Sequence, residues 1–262
     1  MKFIEFKKSI NFKHKIVLFV IFPFISFSQS IVNTENMSKK LDSTFVFSAS
    51  LDGNYTTGNI ELIQVNSANQ LAYNNGKNLV RLFFNYEYIS QDNERISSDY
   101  TSQLRYSYSL NNSSIYSFVQ GQKALSLSLN SRYLLGIGYR KSLLKKEKNY
   151  LDLAFGPFYE NEMYLKDTEN EVHIINYRYG FSSFLNIKIS NNLENNTVIY
   201  YQLNAENFDD YRFYLEPKLV YNFEHFKIYS LLRYRYHSTP YVDIKNIDAQ
   251  VLFGFSYDIG FN

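Results

Sequence analysis

The sequence predicts an all-β fold, a transmembrane antiparallel up-and-down β-barrel of about 12 strands. Apolar and polar residues alternate with period two through most of the chain, and no helix-period pattern recurs. The alternating segments run about ten residues or more, which suits the roughly 9–11 residues that a tilted strand needs to cross a bilayer. Arginines recur opposite the apolar stripe. Because an arginine facing lipid near the midplane costs roughly 2–4 kcal/mol, that face should line the lumen.

Residues 1–28 are expected to form a secretory signal peptide. A lysine-rich start precedes an apolar run that ends in small residues, and we place the cleavage after Ser28. A single transmembrane anchor is the alternative, but the run is shorter than the roughly 20 residues of a spanning helix. The polar residues 29–41 then form a periplasmic lead-in, and residues 42–262 form the barrel.

The strands are assigned from the alternation and from the turn-forming residues between the alternating segments. In chain order they are residues 43–55, 60–73, 79–89, 99–110, 114–124, 131–143, 150–161, 173–189, 196–204, 211–222, 226–237 and 248–261. Tyrosines are frequent toward the strand ends, as expected at the two membrane interfaces.

The connections between these strands alternate in length. Short turns are expected at 74–78, 111–114, 145–149, 190–196 and 223–226, and longer polar loops at 90–98, 162–172, 204–210 and 237–247. Because successive hairpins turn at opposite ends of a sheet, the short turns gather at one end and the long loops at the other. This asymmetry is typical of bacterial outer-membrane barrels.

The C-terminal stretch VLFGFSYDIGFN carries an aromatic stripe. Phe253, Phe255 and Tyr257 fall on one face of an extended strand, whereas Gly254 and Ser256 fall on the other. We expect the stripe to face lipid and the strand to pair with the first strand, which closes the barrel.

Two prolines oppose a closed barrel. Pro157 and Pro217 fall inside predicted strands, and a closed barrel has no edge that excuses a missing backbone N–H. We therefore expect bulges or strand ends at both positions. A soluble secreted barrel or sandwich remains an alternative at this point.

Composition excludes several classes of function. The chain has 27 basic and 25 acidic residues, and the signal peptide holds five lysines and one glutamate, so the mature chain keeps 22 basic and 24 acidic residues. This balance gives no reason to expect nucleic acid. The chain has no cysteine, which excludes disulfides and thiolate zinc sites. The expected partners are outer-membrane lipid and, during biogenesis, the outer-membrane assembly machinery; the expected state is a monomer without a cofactor.

Charged residues on the lumen-facing side of the strands are the one group of residues to which the sequence assigns a candidate function. The candidates are Arg81, Glu87, Arg105, Arg132, Arg140, Arg178, Arg212, Glu216, Arg233 and Arg235, with Asp152 and Glu160 on the same face. They would either form an ion-pair network that fills the barrel or line a channel that selects anionic solutes. Because buried charges must be paired, the sequence favours a plugged or narrow lumen over a freely conducting one.

Catalytic and metal-binding patterns are weak. His237 could meet Asp209, Asp210 or Asp243 across the loops, but no spacing supports a hydrolase, and a solvated loop histidine is the favoured interpretation. The acidic pairs Glu160/Glu162 and Asp209/Asp210 are interpreted as solvated loop charge rather than as cation sites. Gly136 and Gly138 lack the helix that a dinucleotide site requires, and they are expected to admit bulky neighbours in the lumen.

Four segments carry a family resemblance: GNYTTGN (53–59), LDLAFGPFYENE (151–162), NFDDYR (207–212) and YRYHSTP (234–240). In this order the chain resembles the YdiY-like putative salt-induced outer-membrane proteins, although Phe158 replaces their usual small residue after Gly-Pro. The resemblance implies an outer-membrane β-barrel and carries over no catalytic or binding residue. The expected function is therefore a non-enzymatic outer-membrane barrel with a structural or envelope-stress role, or with passive passage of small solutes; an outer-membrane hydrolase and a soluble binding barrel are the alternatives.

Overall fold

The fold was analysed in a computed structural model of the chain. The structure describes residue 33 and residues 44–58, 61–146, 149–165, 171–224, 226–242 and 244–261. The signal-peptide prediction, most of the predicted lead-in, His225 and Asp243 lie outside these residues. Within the described ranges, no helix is long and apolar enough to cross a membrane.

Twelve β-strands of 11 to 18 residues make up the described fold. They are β1 (Phe45–Thr56), β2 (Leu62–Asn75), β3 (Asn78–Gln91), β4 (Glu94–Leu110), β5 (Ser113–Ala124), β6 (Leu129–Lys146), β7 (Asn149–Leu165), β8 (Glu171–Lys188), β9 (Leu193–Asn204), β10 (Tyr211–Asn222), β11 (Lys227–His237) and β12 (Ile247–Phe261). A short 3₁₀ turn, Leu125–Leu127, joins β5 to β6.

Each strand pairs antiparallel with its neighbours in sequence, and β12 pairs with β1, so the sheet is a closed barrel. The closing register runs from Phe45 opposite Phe261 to Gly53 opposite Phe253. The predicted all-β barrel, its strand number and its closure by the C-terminal strand are confirmed. The barrel termini and the β2–β3, β4–β5, β6–β7, β8–β9 and β10–β11 connections lie at one end, called here the turn end; the other connections lie at the loop end.

The β3–β4 connection corrects one predicted loop. The polar segment 90–98 is mostly strand, and the chain turns within Asp92 and Asn93 alone. These two residues have φ angles of 50° and 65°, the left-handed conformation that two-residue hairpins need and that Asp and Asn tolerate. Sequence polarity was the wrong criterion here, because strands that continue beyond an apolar belt carry polar side chains on both faces.

The two strand prolines also differ from the prediction. Pro157 keeps its pairing with β8, and Pro217 keeps its pairing with β9. Each interrupts the ladder on its other side, and the register is the same before and after the gap. Neither is a bulge or a strand end. The register shifts of the barrel lie elsewhere, for example at Ile89/Ser90 and Ser142/Leu144.

The two faces of the barrel wall differ sharply. On β6, Tyr133, Leu135 and Ile137 expose 61, 58 and 60% of their surface, whereas Arg132 and Leu134 between them expose 1 and 7%. The outer surface is therefore apolar and the charged residues lie inside. Soluble proteins rarely expose apolar patches of more than a few hundred Å². An apolar belt around the wall suits hydrocarbon and is opposite to what a soluble barrel requires.

Candidate functional site

The predicted lumen residues lie in the barrel interior. Seven of them are buried: Arg81, Glu87, Arg132, Arg178, Arg212, Glu216 and Arg235. The other three, which are less deeply buried, contact interior groups. Arg105 lies 5.1 Å from the ring of Tyr116, Arg140 pairs with Asp152 at 2.9 Å, and Arg233 pairs with Glu216 at 2.9 Å.

Three arginines and two glutamates form a buried ion-pair network, here called the Glu160 cluster: Arg132, Glu160, Glu162, Arg178 and Arg212. Glu160 accepts hydrogen bonds from Arg132 Nε (2.8 Å), Arg178 Nε (2.5 Å) and Arg212 Nη1 (2.8 Å). Arg212 Nη2 donates to Glu162 Oε2 at 2.9 Å. Each of the five side chains is 0 or 1% exposed. The network joins β6, β7, β8 and β10 through the interior.

Strand geometry brings this network together. Glu160 and Glu162 are two residues apart on β7, so they share the inner face. Arg132 stands opposite Glu162 in the β6–β7 register. Arg212 belongs to β10, which is not a neighbour of β7, and it reaches the two glutamates across the lumen. Removing one partner from such a buried network typically costs about 3–5 kcal/mol.

Asp210 extends the cluster toward the loop end. One of its oxygens, Oδ2, accepts from Arg178 Nη2 at 2.6 Å and from Tyr241 Oη at 2.5 Å, and the other, Oδ1, lies 2.9 Å from His237 Nε2. Burial alone would raise the pKa of Asp210, but the hydrogen bond from His237 and the Arg178 guanidinium outweigh it and hold this pKa well below its usual range. Asp210 therefore stays ionised and gives the three arginines a third carboxylate.

The β11–β12 connection folds inward over this network. Tyr241 accepts from Arg178 Nη2 (2.7 Å) and Asn176 Nδ2 (2.9 Å), and its ring centroid lies 5.8 Å from that of Tyr164. Burial raises the pKa of the Tyr241 hydroxyl, against the nearby Arg178 and Arg212 charges. Tyr241 and Val242, here called the loop latch, pack on an apolar cluster formed by Ala124, Leu127, Leu129 and Tyr164. The latch thus reaches from β11 across the mouth to β7 and the β5–β6 connection.

A second buried network, here called the Glu216 site, lies deeper along β10. Glu216 Oε2 accepts from Tyr214 Oη at 2.5 Å and from Arg233 Nε at 2.9 Å, and Glu216 Oε1 accepts from Asn33 Nδ2 at 2.9 Å. On the same strand, Lys218 Nζ lies 3.3 Å from the ring centroid of Tyr229. Tyr229 in turn donates to Asp52 Oδ2 of β1 at 2.9 Å.

Apolar side chains fill much of the remaining interior. Val220, Tyr229, Leu231 and Leu252 form one buried cluster, and Ala154, Phe184 and Val198 form another. A Cβ at Gly136 would lie 2.5 Å from the Phe118 ring, and one at Gly138 would lie 2.4 Å from the Tyr116 ring. These two glycines admit bulky neighbours, as predicted. One cavity of about 80 Å³ lies beside Arg105, Gln103 and Phe158, and a larger one of about 320 Å³ lies at the turn end beside Glu194 and Lys227.

Three sequence interpretations are corrected. His237 is not a solvated loop histidine, because it is 3% exposed and bonded to Asp210. Glu160 and Glu162 are not loop charges, since both are strand residues inside the Glu160 cluster. Asp210 is buried as well, at 2% exposure. Strand parity places Glu160 and His237 on the inner faces of β7 and β11, and it places Glu162 there once β7 is extended to Leu165; Asp210 precedes β10 and has no such signal.

The described residues give little support to metal binding or to hydrolysis. Among the residues that the structure describes, no group of three or more His, Cys, Asp or Glu side chains is arranged to hold a metal ion. His237 directs Nε2 at Asp210 in the buried network, and the neighbouring Ser238 Oγ donates to the backbone oxygen of Asp209 at 2.5 Å. In this arrangement the hydroxyl of Ser238 donates to a backbone oxygen and not to the His237 ring.

Comparison with solved structures places the fold among bacterial outer-membrane barrels. An outer-membrane channel from Pseudomonas putida is 8% identical, with 88% of this chain and 100% of that one covered and a TM-score of 0.53. The NanC porin is 11% identical, with 80% and 98% covered and a TM-score of 0.50. At such identities the likeness concerns the fold alone. A comparison with curated proteins finds no match.

Family assignment comes from the sequence profile that spans most of the barrel. It matches residues 49–259, from β1 to β12, and its description is "Protein of unknown function, DUF481". The chain therefore belongs to the DUF481 family, whose fold in this member is a closed barrel with buried charged residues in its interior.

Proposed function

We propose that this protein is a non-enzymatic barrel of the bacterial outer membrane whose lumen is closed in its resting state, so that it serves the envelope as a structural element. The observation that carries this proposal is the Glu160 cluster. Its three arginines come from β6, β8 and β10 and are all paired with the two buried carboxylates of β7, and Arg212 reaches them across the interior. Arginines held in this way are not available to attract anionic solutes, as an open selective pore requires.

The membrane location rests on the outer surface and on the similarity to outer-membrane porins. The apolar wall suits lipid, and the expected signal peptide would direct export. Outer-membrane lipid and, during assembly, the outer-membrane assembly machinery are then the partners of a monomeric barrel. The salt-induced character of the resembling family stays a prediction, and it is compatible with a structural role under envelope stress.

Gated passage of small solutes is the second candidate function. It is favoured by one observation: a loop, rather than the wall, covers the loop-end mouth, with Tyr241 held by three side chains. Movement of a loop needs no change in the barrel itself. An outer-membrane hydrolase is less well supported, because the hydroxyl of Ser238, beside His237, donates to the backbone oxygen of Asp209 and not to the imidazole.

Proteoliposome swelling in a series of small sugars tests both candidates. Vesicles with the wild-type protein are expected to exclude even the smallest sugar, and rapid swelling of these vesicles would contradict the closed-lumen proposal. Tyr241→Ala removes the latch, and Tyr133→Ala, on the outer face of β6, is the matched control. Swelling with Tyr241→Ala alone supports gated passage, whereas exclusion by both variants leaves the purely structural role.

A further inference from the structure

Asn33 precedes the first strand in sequence but lies inside the barrel. It is 6% exposed, although it belongs to the stretch that the sequence places outside the barrel as a lead-in. Its side-chain amide donates to Glu216 Oε1 at 2.9 Å, and its amide oxygen accepts from Tyr200 Oη at 3.3 Å. Tyr200 is on β9 and Glu216 on β10, so Asn33 bridges two strands of the wall.

The chemistry of this contact suits a primary amide. Glu216 is 1% exposed and directs a carboxylate oxygen at the amide, while Tyr200 offers a hydroxyl donor beside it. A carboxamide supplies both a donor and an acceptor and adds no charge. An aspartate at position 33 would set a second carboxylate against Glu216, and a lysine would bring a further cation close to Arg233, which already pairs with Glu216.

The chain is long enough to make this contact from the turn end. Phe45 begins β1 at that end, where β10 finishes at Asn222. From Asn222 back to Glu216 the strand rises by roughly 20 Å at about 3.3 Å per residue. The chain from Asn33 to Phe45 can extend to roughly 40 Å at most. The length of the chain therefore allows entry through the turn end.

We propose that the N-terminal segment of the mature protein is an intramolecular ligand of the lumen, which Asn33 anchors at the Glu216 site. The site selects a primary carboxamide, and the chain supplies one itself. The loop latch then enters the lumen from one end, and the N-terminal segment enters it from the other. This inference does not depend on the proposed function, because it concerns where a segment binds and not what the barrel transports.

Chemical crosslinking tests the proposal. Because the chain has no native cysteine, only the introduced cysteines can react with the crosslinker. A direct disulfide needs Cα atoms roughly 4.4–6.8 Å apart, so a short bifunctional maleimide is the more tolerant probe. The double variant Thr34→Cys/Val198→Cys leaves Asn33, Tyr200 and Glu216 intact, because Thr34 follows Asn33 in sequence and Val198 stands opposite Glu216 in the β9–β10 register. It is refolded in detergent, and heat-modifiable gel migration verifies that the barrel forms. Protease digestion and mass spectrometry then quantify the crosslinked peptide pair.

Two control pairs make either outcome decisive. Tyr200→Cys/Tyr214→Cys joins residues that face each other in the β9–β10 register, so it should crosslink in any folded barrel. Thr34→Cys/Gln103→Cys pairs the same position of the segment with β4 on the opposite wall. We expect at least tenfold more product from the Thr34/Val198 pair than from the Thr34/Gln103 pair. Equal yields, or no Thr34/Val198 product while the wall pair reacts, would overturn the proposal.

Discussion

At the residue scale, Glu160 is the centre of the interior charge balance. Its two oxygens accept from three arginines, and the carboxylates of Glu162 and Asp210 complete the neutralisation. The alternation of inward- and outward-facing side chains along β6, β7, β8 and β10 predicts that the arginines point inward. It does not predict which carboxylate each one meets, because Arg212 and Glu160 belong to strands that are not neighbours. Contacts across a lumen depend on barrel diameter and stagger, which no local pattern encodes.

Glu160→Gln is expected to destabilise the barrel by roughly 3–5 kcal/mol, because it leaves buried guanidinium groups without a compensating charge. The effect is measured by urea unfolding in detergent, with the loss of heat-modifiable migration as the signal. Glu94→Gln, at an exposed position where β4 begins, is the matched control and should unfold with the wild type. Equal midpoints for Glu160→Gln and wild type would show that the cluster contributes nothing to stability.

Asp210 should hold the loop latch over the mildly acidic range. The folded-state pKa of Asp210 is lowered, so its stabilisation is complete above the unfolded value of about 3.9 and is lost only as the pH falls below that value. Opening of the loop would expose the His237 imidazole, which ordinarily titrates near 6.5, so His237→Gln is used to isolate Asp210. In this variant, hydrogen exchange of residues 238–246, corrected for the intrinsic pH dependence, should give equal protection at pH 7 and pH 5, and adding Asp210→Asn should lower protection at both. A loss of protection in His237→Gln between pH 7 and pH 5 would contradict this assignment.

At the element scale, the strands were more predictable than the connections. Period-two alternation locates all 12 strands, because one wall face meets an apolar medium and the other a charged interior. This alternation disappears where the strands extend beyond the apolar belt of the outer surface. Residues 94–98 continue β4 with polar side chains, and Glu162 continues β7, so both were assigned to loops. The Asp92–Asn93 turn had a usable signal in its residue types, since few side chains other than Gly, Asn and Asp accept a positive φ.

Asn93 tests that hairpin. Its φ of 65° is costly for a β-branched residue, so Asn93→Val should destabilise the barrel by about 1–2 kcal/mol. Asn93→Gly removes the same side chain without the conformational strain and serves as the control. Urea midpoints of the two variants in detergent provide the measurement. If Asn93→Val unfolds no earlier than Asn93→Gly, the turn does not depend on the left-handed conformation.

At the scale of the whole molecule, two features turn a linear alternation of apolar and polar residues into a closed barrel. The pairing of β12 with β1 removes the sheet edges, and the interior networks with their apolar neighbours occupy the space that closure creates. The first feature follows from the aromatic C-terminal strand and was predictable. The sequence predicted that charged side chains in the lumen would be paired, because buried charges need partners, but it did not predict which residues pair. The positions of Tyr241 and Asn33, both outside the strands, had no periodic signal at all.

Single-channel recording in planar lipid bilayers tests the closed lumen most directly. Residues 29–262 are refolded, checked for heat-modifiable migration and inserted at neutral pH. A lumen occupied by the Glu160 cluster, the loop latch and Asn33 predicts a silent bilayer without steady conductance steps. Steady, long-lived steps from the wild-type protein, at the level of an open water-filled porin, would contradict the account.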